Sequence, residues 1–230
     1  MLMKKGLLFV LSAPSGAGKS TMIGRIREFF PDILYSISCT TRLPRKGEID
    51  GVHYHFVDRE RFREMIEQGE FLEWKEVHGA LYGTPAGPVL EAINSGRTMV
   101  LDIDVEGAKD VLRQIQDSVG IFISTPDMDA LEERIRTRAA DSEESIRTRL
   151  HNAAREMESA RLFSYDIVND DLNAAVAELA SIIEDERGKR SKGYSGDLPT
   201  IMSTVRDFLS LRTVILIRSP GLVPATILES

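Results

Sequence analysis

The chain should fold as an α/β domain, a parallel sheet covered by helices, and three observations carry that expectation. Short apolar runs without strict alternation recur at 7–11, 34–37, 99–103, 121–124 and 167–168, which is how strands buried on both faces look. Longer helix-like segments separate them, as a layered βα repeat requires. The first run leads directly into Ala13-Pro14-Ser15-Gly16-Ala17-Gly18-Lys19-Ser20 and then into a helical segment, Thr21 to Phe30, ended by Pro31. Strand, glycine-rich turn and helix N-terminus in that order make a phosphate cradle.

The N-terminus, Met1-Leu2-Met3-Lys4-Lys5 before Leu7 to Leu11, superficially resembles a signal peptide. The apolar run is short and opens into a polar loop, so it reads as the first core strand. In the loop that follows, Gly16 and Gly18 let backbone N–H groups turn inward around nucleotide phosphates. Lys19 reaches the β- and γ-phosphates, and Ser20 offers a hydroxyl to Mg²⁺. One position departs from G-x-x-x-x-G-K-[ST]: Ala13 stands where the first glycine is expected. The alternative is a small-residue turn carrying an exposed lysine.

After the run at 34–37 the character changes. Residues 38–88 are rich in Arg, Glu, His, Tyr and Gly, with β-like pieces around His53–Val57 and Leu72–Val77 and a helix over 59–68 entered at Asp58 and left at Gly69. This reads as an insertion. Gly87-Pro88 places helix breakers where the insertion should rejoin the core. A second polar block, 125–155, carries arginines and acids on two helices, and the segment from Ser142 to Leu162 opens with Asp141 and Glu144 spaced like a capping box. The last helix, Leu172 to Arg187, puts Leu172, Val176, Leu179, Ala180 and Ile183 on one face after the capping candidate Asp170. From Gly188 a linker-like stretch, 188–193, leads into a Pro- and Gly-broken tail to which no role is assigned.

Composition bounds the partners. A length of 230 residues suits one domain with small inserted subdomains. With 29 Lys plus Arg against 36 Asp plus Glu, the net charge of −7 argues against a nucleic-acid-coating protein. Cys39 is the single cysteine, so no intramolecular disulfide is possible and a reducing, cytoplasmic setting is expected. No run reaches the roughly 18 to 20 apolar residues that span a bilayer, so no membrane partner is expected.

Further constellations carry chemistry. Arg42 and Arg45 flank a proline, with Tyr54 nine residues on, and can clamp a second phosphate through charge-assisted bonds; a solvated turn explains the pattern equally well. Glu73, beside Trp74, can accept the adjacent N1–H and amino group of guanine, which adenine does not offer; a surface glutamate near a core tryptophan is the blander reading. Asp102 and Asp104 end a strand of the presumed parallel sheet, where ligands bind; one can approach Mg²⁺ or its water shell, and Asp104 can equally cap a helix. Arg134 and Arg138 share a helix face and Arg149 lies on the next helix, cations that a closing lid can bring to a migrating phosphoryl group; ion pairs with Glu133, Glu143 or Glu144 are the alternative.

In order, Ser12 to Ser20, Ser38-Cys39-Thr40-Thr41-Arg42-Leu43-Pro44-Arg45, Phe71-Leu72-Glu73-Trp74, Leu81-Tyr82-Gly83-Thr84-Pro85, Leu101-Asp102-Ile103-Asp104 and Ile167-Val168-Asn169-Asp170 closely resemble guanylate kinase, from about Gly6 to Arg187. The resemblance implies a P-loop NTPase-like fold in three parts: a core (1–37, 89–124, 156–187), a GMP-binding insert (38–88) and a lid (125–155), leaving 188–230 outside it. It implies ATP and GMP as substrates, Mg²⁺ as cofactor, and a place in purine nucleotide metabolism. ATP would lie on Ala13, Pro14, Ser15, Gly16, Ala17, Gly18, Lys19, Ser20 and Thr21, with Asn169 near adenine. Arg42, Arg45, Tyr54 and Tyr82 would hold the GMP phosphate, and Ser38, Glu73, Thr84 and Asp104 would read or orient guanine. Ser20 and Asp102 would serve the metal, Asp102 also the acceptor, and Arg134, Arg138 and Arg149 would join Lys19 and Arg42 in catalysis. Two other classes stay open: a non-catalytic guanylate-kinase-like module that binds proteins, and a kinase acting on a phosphorylated sugar.

Overall fold

A computed structural model of the chain describes residues 6–77, 79–138 and 142–191. Its main sheet is formed by β1 (Leu7–Ser12), β2 (Leu34–Tyr35), β7 (Thr98–Asp102), β8 (Val119–Ser124) and β9 (Tyr165–Val168) in the order β2-β7-β1-β8-β9, with every pairing parallel. All six residues of β1 and of β8 are buried, as continuous apolar strands between helices should be. Fully buried Phe122 packs in one cluster with Leu8, Val10, Leu101 and Val111, and each such side chain contributes about 1.5–3 kcal/mol of transfer free energy.

Register positions the site. β1 and β7 pair with Leu11 opposite Asp102, so the loop that follows β1 and the acidic segment that follows β7 leave the same carboxyl edge. Lys19 opens α1 (Lys19–Phe29), and Asp104 opens α4 (Val105–Gln114).

The region read as an insertion builds a second sheet from β3 (Cys39–Thr40), β4 (His55–Phe56), β5 (Phe71–Val77) and β6 (Ala80–Pro85), ordered β4-β3-β6-β5. β5 and β6 pair antiparallel, and α2 (Arg59–Glu67) sets Phe62 and Met65 against Cys39 and Leu81 in a small core of their own. Asp58 caps α2 by accepting from the Arg61 N–H at 2.7 Å, as the sequence suggested. α5 (Met128–Arg138) and α6 (Glu143–Met157) share another cluster of Leu131, Ile135, Ile146 and Ala153.

Several local expectations are corrected. Gly87-Pro88 does not break the chain's return to the core; it lies in the first turn of α3 (Ala86–Asn94), where the missing proline N–H has no intrahelical partner to lose. The cap of α6 is Ser142, whose hydroxyl accepts from Ser145, and Asp141 falls outside the described residues. Asp171, not Asp170, caps α7 (Leu172–Ser191) by accepting from the Ala174 N–H at 2.8 Å. α7 also continues through Gly188 to Ser191, where a linker was expected, and the rest of the tail lies outside the described residues. The first of the chain's two compact units ends at Ala175 and holds every strand; the second begins at Val176, and its Val176, Leu179, Ala180 and Ile183 are buried as the helical spacing predicts. Among the described residues no helix is long and apolar enough to cross a membrane.

Candidate active site

The loop between β1 and α1 takes its shape from two glycines. Gly16 and Gly18 have φ of 99° and 98°, a region that L side chains rarely occupy. Space forbids a side chain as well: a Cβ on Gly16 would sit 2.9 Å from Ile135 Cγ1, and one on Gly18 would run into the Asn169 amide. α1 has no side-chain cap, so its first N–H groups and its dipole face the loop and favour an anion. Ala13 and Pro14 are buried, Ala17 donates its N–H to Pro14 O at 3.1 Å, and Ser15, Ser20 and Thr21 are exposed.

Asn169 is 4% exposed and donates through Nδ2 to Ala17 O at 2.7 Å, so it ties the end of β9 to the underside of the loop. From the other side, Arg149 on α6 donates to Ser15 Oγ at 2.9 Å, and Arg134 on α5 donates to Asn169 O at 2.7 Å. Arg138 ends α5, and its side chain lies outside the described residues. Lys19 bridges the Ile103 carbonyl at 2.5 Å and Asp102 Oδ1 at 2.8 Å.

Beside this loop opens a cavity of about 380 Å³ whose lining includes Lys19, Ser20, Ser38, Tyr54, Tyr82 and Asp102. Glu73, Asp104 and Lys75 also face it. Strand alternation on β5 turns Glu73 inward and leaves Trp74 47% exposed, which reverses the reading of a surface glutamate beside a core tryptophan. Glu73 lies opposite Thr84 across the β5–β6 ladder, and Thr84 Oγ1 donates to Glu73 Oε1 at 2.5 Å. Burial pushes the Glu73 carboxyl above the usual range, against the Thr84 hydrogen bond and the Lys75 charge, which favour ionisation. On Gly107 a Cβ would come within 2.8 Å of Glu73 Oε2, so this glycine leaves room for the carboxylate.

Of the roles its position suggested, Asp104 performs the capping one, and it adds an ion pair that was not expected. Its Oδ1 caps α4 by accepting from Glu106 and Gly107 at 2.9 and 3.0 Å, and its Oδ2 pairs with Lys75. Burial lowers the Lys75 pKa, and the Glu73 and Glu156 charges oppose that shift. Sequence reasoning passed over Lys75 although it stands two residues beyond Glu73 on the same strand face.

Arg42 stands at the rim. Its Nε donates to Tyr82 OH at 3.2 Å, its two terminal nitrogens fork onto Glu48 at 2.8 and 2.9 Å, and its plane lies over the Tyr54 ring at 5.4 Å. The Arg42 guanidinium holds Glu48 down to a pKa of about 2, and burial raises that of Tyr54. Arg45 is exposed and gives its backbone N–H to Glu48 at 2.6 Å. Of the residues expected to act together, Lys19, Ser20, Ser38, Tyr54, Glu73, Tyr82, Asp102 and Asp104 line one cavity; Arg42 and Thr84 bond to its lining residues Tyr82 and Glu73, and Asn169, Arg134 and Arg149 gather at the loop and the end of β9.

Residues 5–186 match the family described as guanylate kinase. A guanylate kinase of Desulfotalea psychrophila is 50% identical over 195 residues, covering 84% of this chain and 96% of that protein. One from Carboxydothermus hydrogenoformans is 47% identical over 187 residues, 81% of this chain and 92% of that one. Among solved structures, guanylate kinase from Anaplasma phagocytophilum superposes with a TM-score of 0.63 at 33% identity, covering 80% of this chain and 87% of the other. With the parallel sheet, the phosphate loop and these relatives together, the fold is P-loop NTPase-like and the chain belongs to the guanylate kinase family.

Proposed function

We infer that the protein transfers the γ-phosphoryl group of ATP to GMP, giving ADP and GDP, in purine nucleotide metabolism in the cytoplasm. The single observation that carries the acceptor's identity is Glu73, ionisable, aimed into the cavity and held by Thr84 at 2.5 Å. Guanine offers it two adjacent donors, and a base lacking them would leave a half-buried carboxylate unpaired, at about 1–3 kcal/mol or more. A sugar kinase has no need of this acceptor and its partner, and a binding module has no need of the intact loop with Gly16, Gly18, Lys19 and Ser20.

The donor lies on the other wall. Loop N–H groups, the α1 dipole and Lys19 take the ATP phosphates, and Lys19 leaves Asp102 and Ile103 O to do so. Ser20 and Asp102 supply two oxygen donors on one cavity, which fits Mg²⁺, an ion that keeps most of its waters and its nucleotide phosphate oxygens. When bound, the ion neutralises phosphate charge. Arg134 and Arg149 already touch the segment after β9 and the loop, and with Arg138 they serve the migrating group as the lid and the insert close over both nucleotides. A phosphate oxygen of GMP attacks the γ-phosphorus, the bond to ADP breaks, and no covalent intermediate with the protein forms.

A coupled ADP-release assay with Mg·ATP and GMP tests this reading, with Lys19→Met as control. The variant should lose turnover by at least about a hundredfold. Its unfolding free energy should change by no more than about 1 kcal/mol, because the Lys19–Asp102 pair is partly exposed at 17% and 40%. Undiminished turnover in the variant contradicts the role given to Lys19.

A further inference from the structure

Arg42 is nearly saturated by its own chain. A guanidinium has five N–H bonds. One goes from Nε to Tyr82 OH, one from Nη1 to Leu43 O, one from Nη1 to Glu48 Oε2 and one from Nη2 to Glu48 Oε1. Four are taken, and one, on Nη2, is left for an acceptor phosphate. Glu48 is equally committed, since its Oε2 also accepts the Arg45 N–H at 2.6 Å and its own N–H closes the turn onto Arg45 O at 3.0 Å. Both side chains of the fork are well covered, at 17% and 18% exposure, while Arg45 stays exposed.

We propose that Glu48 is a positioning residue for the acceptor: its carboxylate locks Arg42 into one orientation and ties the Arg45 turn to it, so that the two arginines meet the acceptor phosphate as a preset pair. In this arrangement Arg42 contributes geometry and one hydrogen bond, its charge being balanced by Glu48. Arg45, exposed and outside the fork, contributes the more available positive charge. The proposal rests on the GMP reading above and names a residue which that reading leaves without a role.

The opposite view treats Glu48 as a rival of the phosphate for Arg42, and the two views predict opposite signs. Glu48→Gln keeps the shape and one accepting oxygen, but it turns the second contact into a donor facing a donor and so opens the fork. If Glu48 positions Arg42, the KM for GMP rises by about tenfold while kcat and the KM for ATP stay within about twofold. If Glu48 competes, the KM for GMP falls, and the proposal is overturned. A double-mutant cycle separates positioning from a merely structural role: in an Arg42→Met background, Glu48→Gln should lose only the part that acts through the Arg45 turn, so its effect on the KM for GMP should be clearly smaller there than in the parent. An equal loss in both backgrounds, or an unchanged KM in the single variant, also overturns it. Thermal unfolding of each variant checks that the fold persists. Lack of GMP turnover by the unaltered chain would overturn the acceptor reading itself and this inference with it, an outcome distinct from an active chain indifferent to Glu48.

Discussion

Substituting Gly107 by alanine should move stability and acceptor affinity independently, because the three atoms nearest a new Cβ all belong to the Glu73 side chain. The new Cβ would lie 2.8 Å from Glu73 Oε2 and 3.0 Å from its Cδ. Ordinary contact begins near 3.4 Å, so the carboxylate must shift by roughly half an ångström, which disturbs the orientation it holds through a Thr84 bond of 2.5 Å. A hydrogen bond to a charged group is worth about 1.5–3 kcal/mol, and each 1.4 kcal/mol is about tenfold in affinity. The KM for GMP should therefore rise by about ten- to a hundredfold. Stability should hardly suffer, since alanine is favoured over glycine in a helix by up to about 1 kcal/mol, offsetting the displaced side chain. Steady-state kinetics in both substrates and urea unfolding provide the readouts. A KM for GMP within about twofold of the parent, with an intact fold, would refute the claim that Gly107 makes room for a guanine-reading carboxylate.

Two further outcomes follow from the same geometry. Asn169→Ala should strand the buried Ala17 carbonyl and lower the unfolding free energy by about 1–3 kcal/mol, with the KM for ATP rising more than that for GMP; denaturant unfolding and two-substrate kinetics measure both. Glu73 must be ionised to accept two donors, and its folded pKa is raised by burial, so GMP affinity should weaken on acidification at a higher pH than for an ordinary glutamate. The stability effect has the opposite sense: the raised folded pKa means that ionisation costs stability as pH increases through the unfolded pKa, so Glu73→Gln should flatten that fall in a pH series of unfolding curves.

How much of this was legible in the sequence depended on separation along the chain. The strand, loop and helix over 7–29 could be read directly, because glycine conformation, lysine and helix N-terminus are contiguous there. The parallel core could be read too, since strands covered on both faces carry continuous apolar runs. What escaped was set by tertiary pairing. The bond from the Asn169 amide to Ala17, 152 positions away, is announced by no local pattern. Glu73 and Trp74 exchanged their expected sides because strand phase, not residue type, decides which one faces inward. Gly87-Pro88 read as a break because proline's penalty applies to helix interiors and not to a first turn. Glu48 followed the two arginines plainly enough, but a carboxylate in a charged loop acquires meaning only when the fork onto Arg42 is seen.

The central claim is that Glu73 and Thr84 choose guanine while the glycine loop presents ATP. Coupled ADP release with Mg·ATP, measured as kcat/KM for AMP, GMP, CMP, UMP and dTMP in turn, tests it most directly. GMP should exceed every other acceptor by at least about a hundredfold, the discrimination expected when a wrong base leaves the carboxylate unpaired. Equal or better turnover of AMP or dTMP would contradict it.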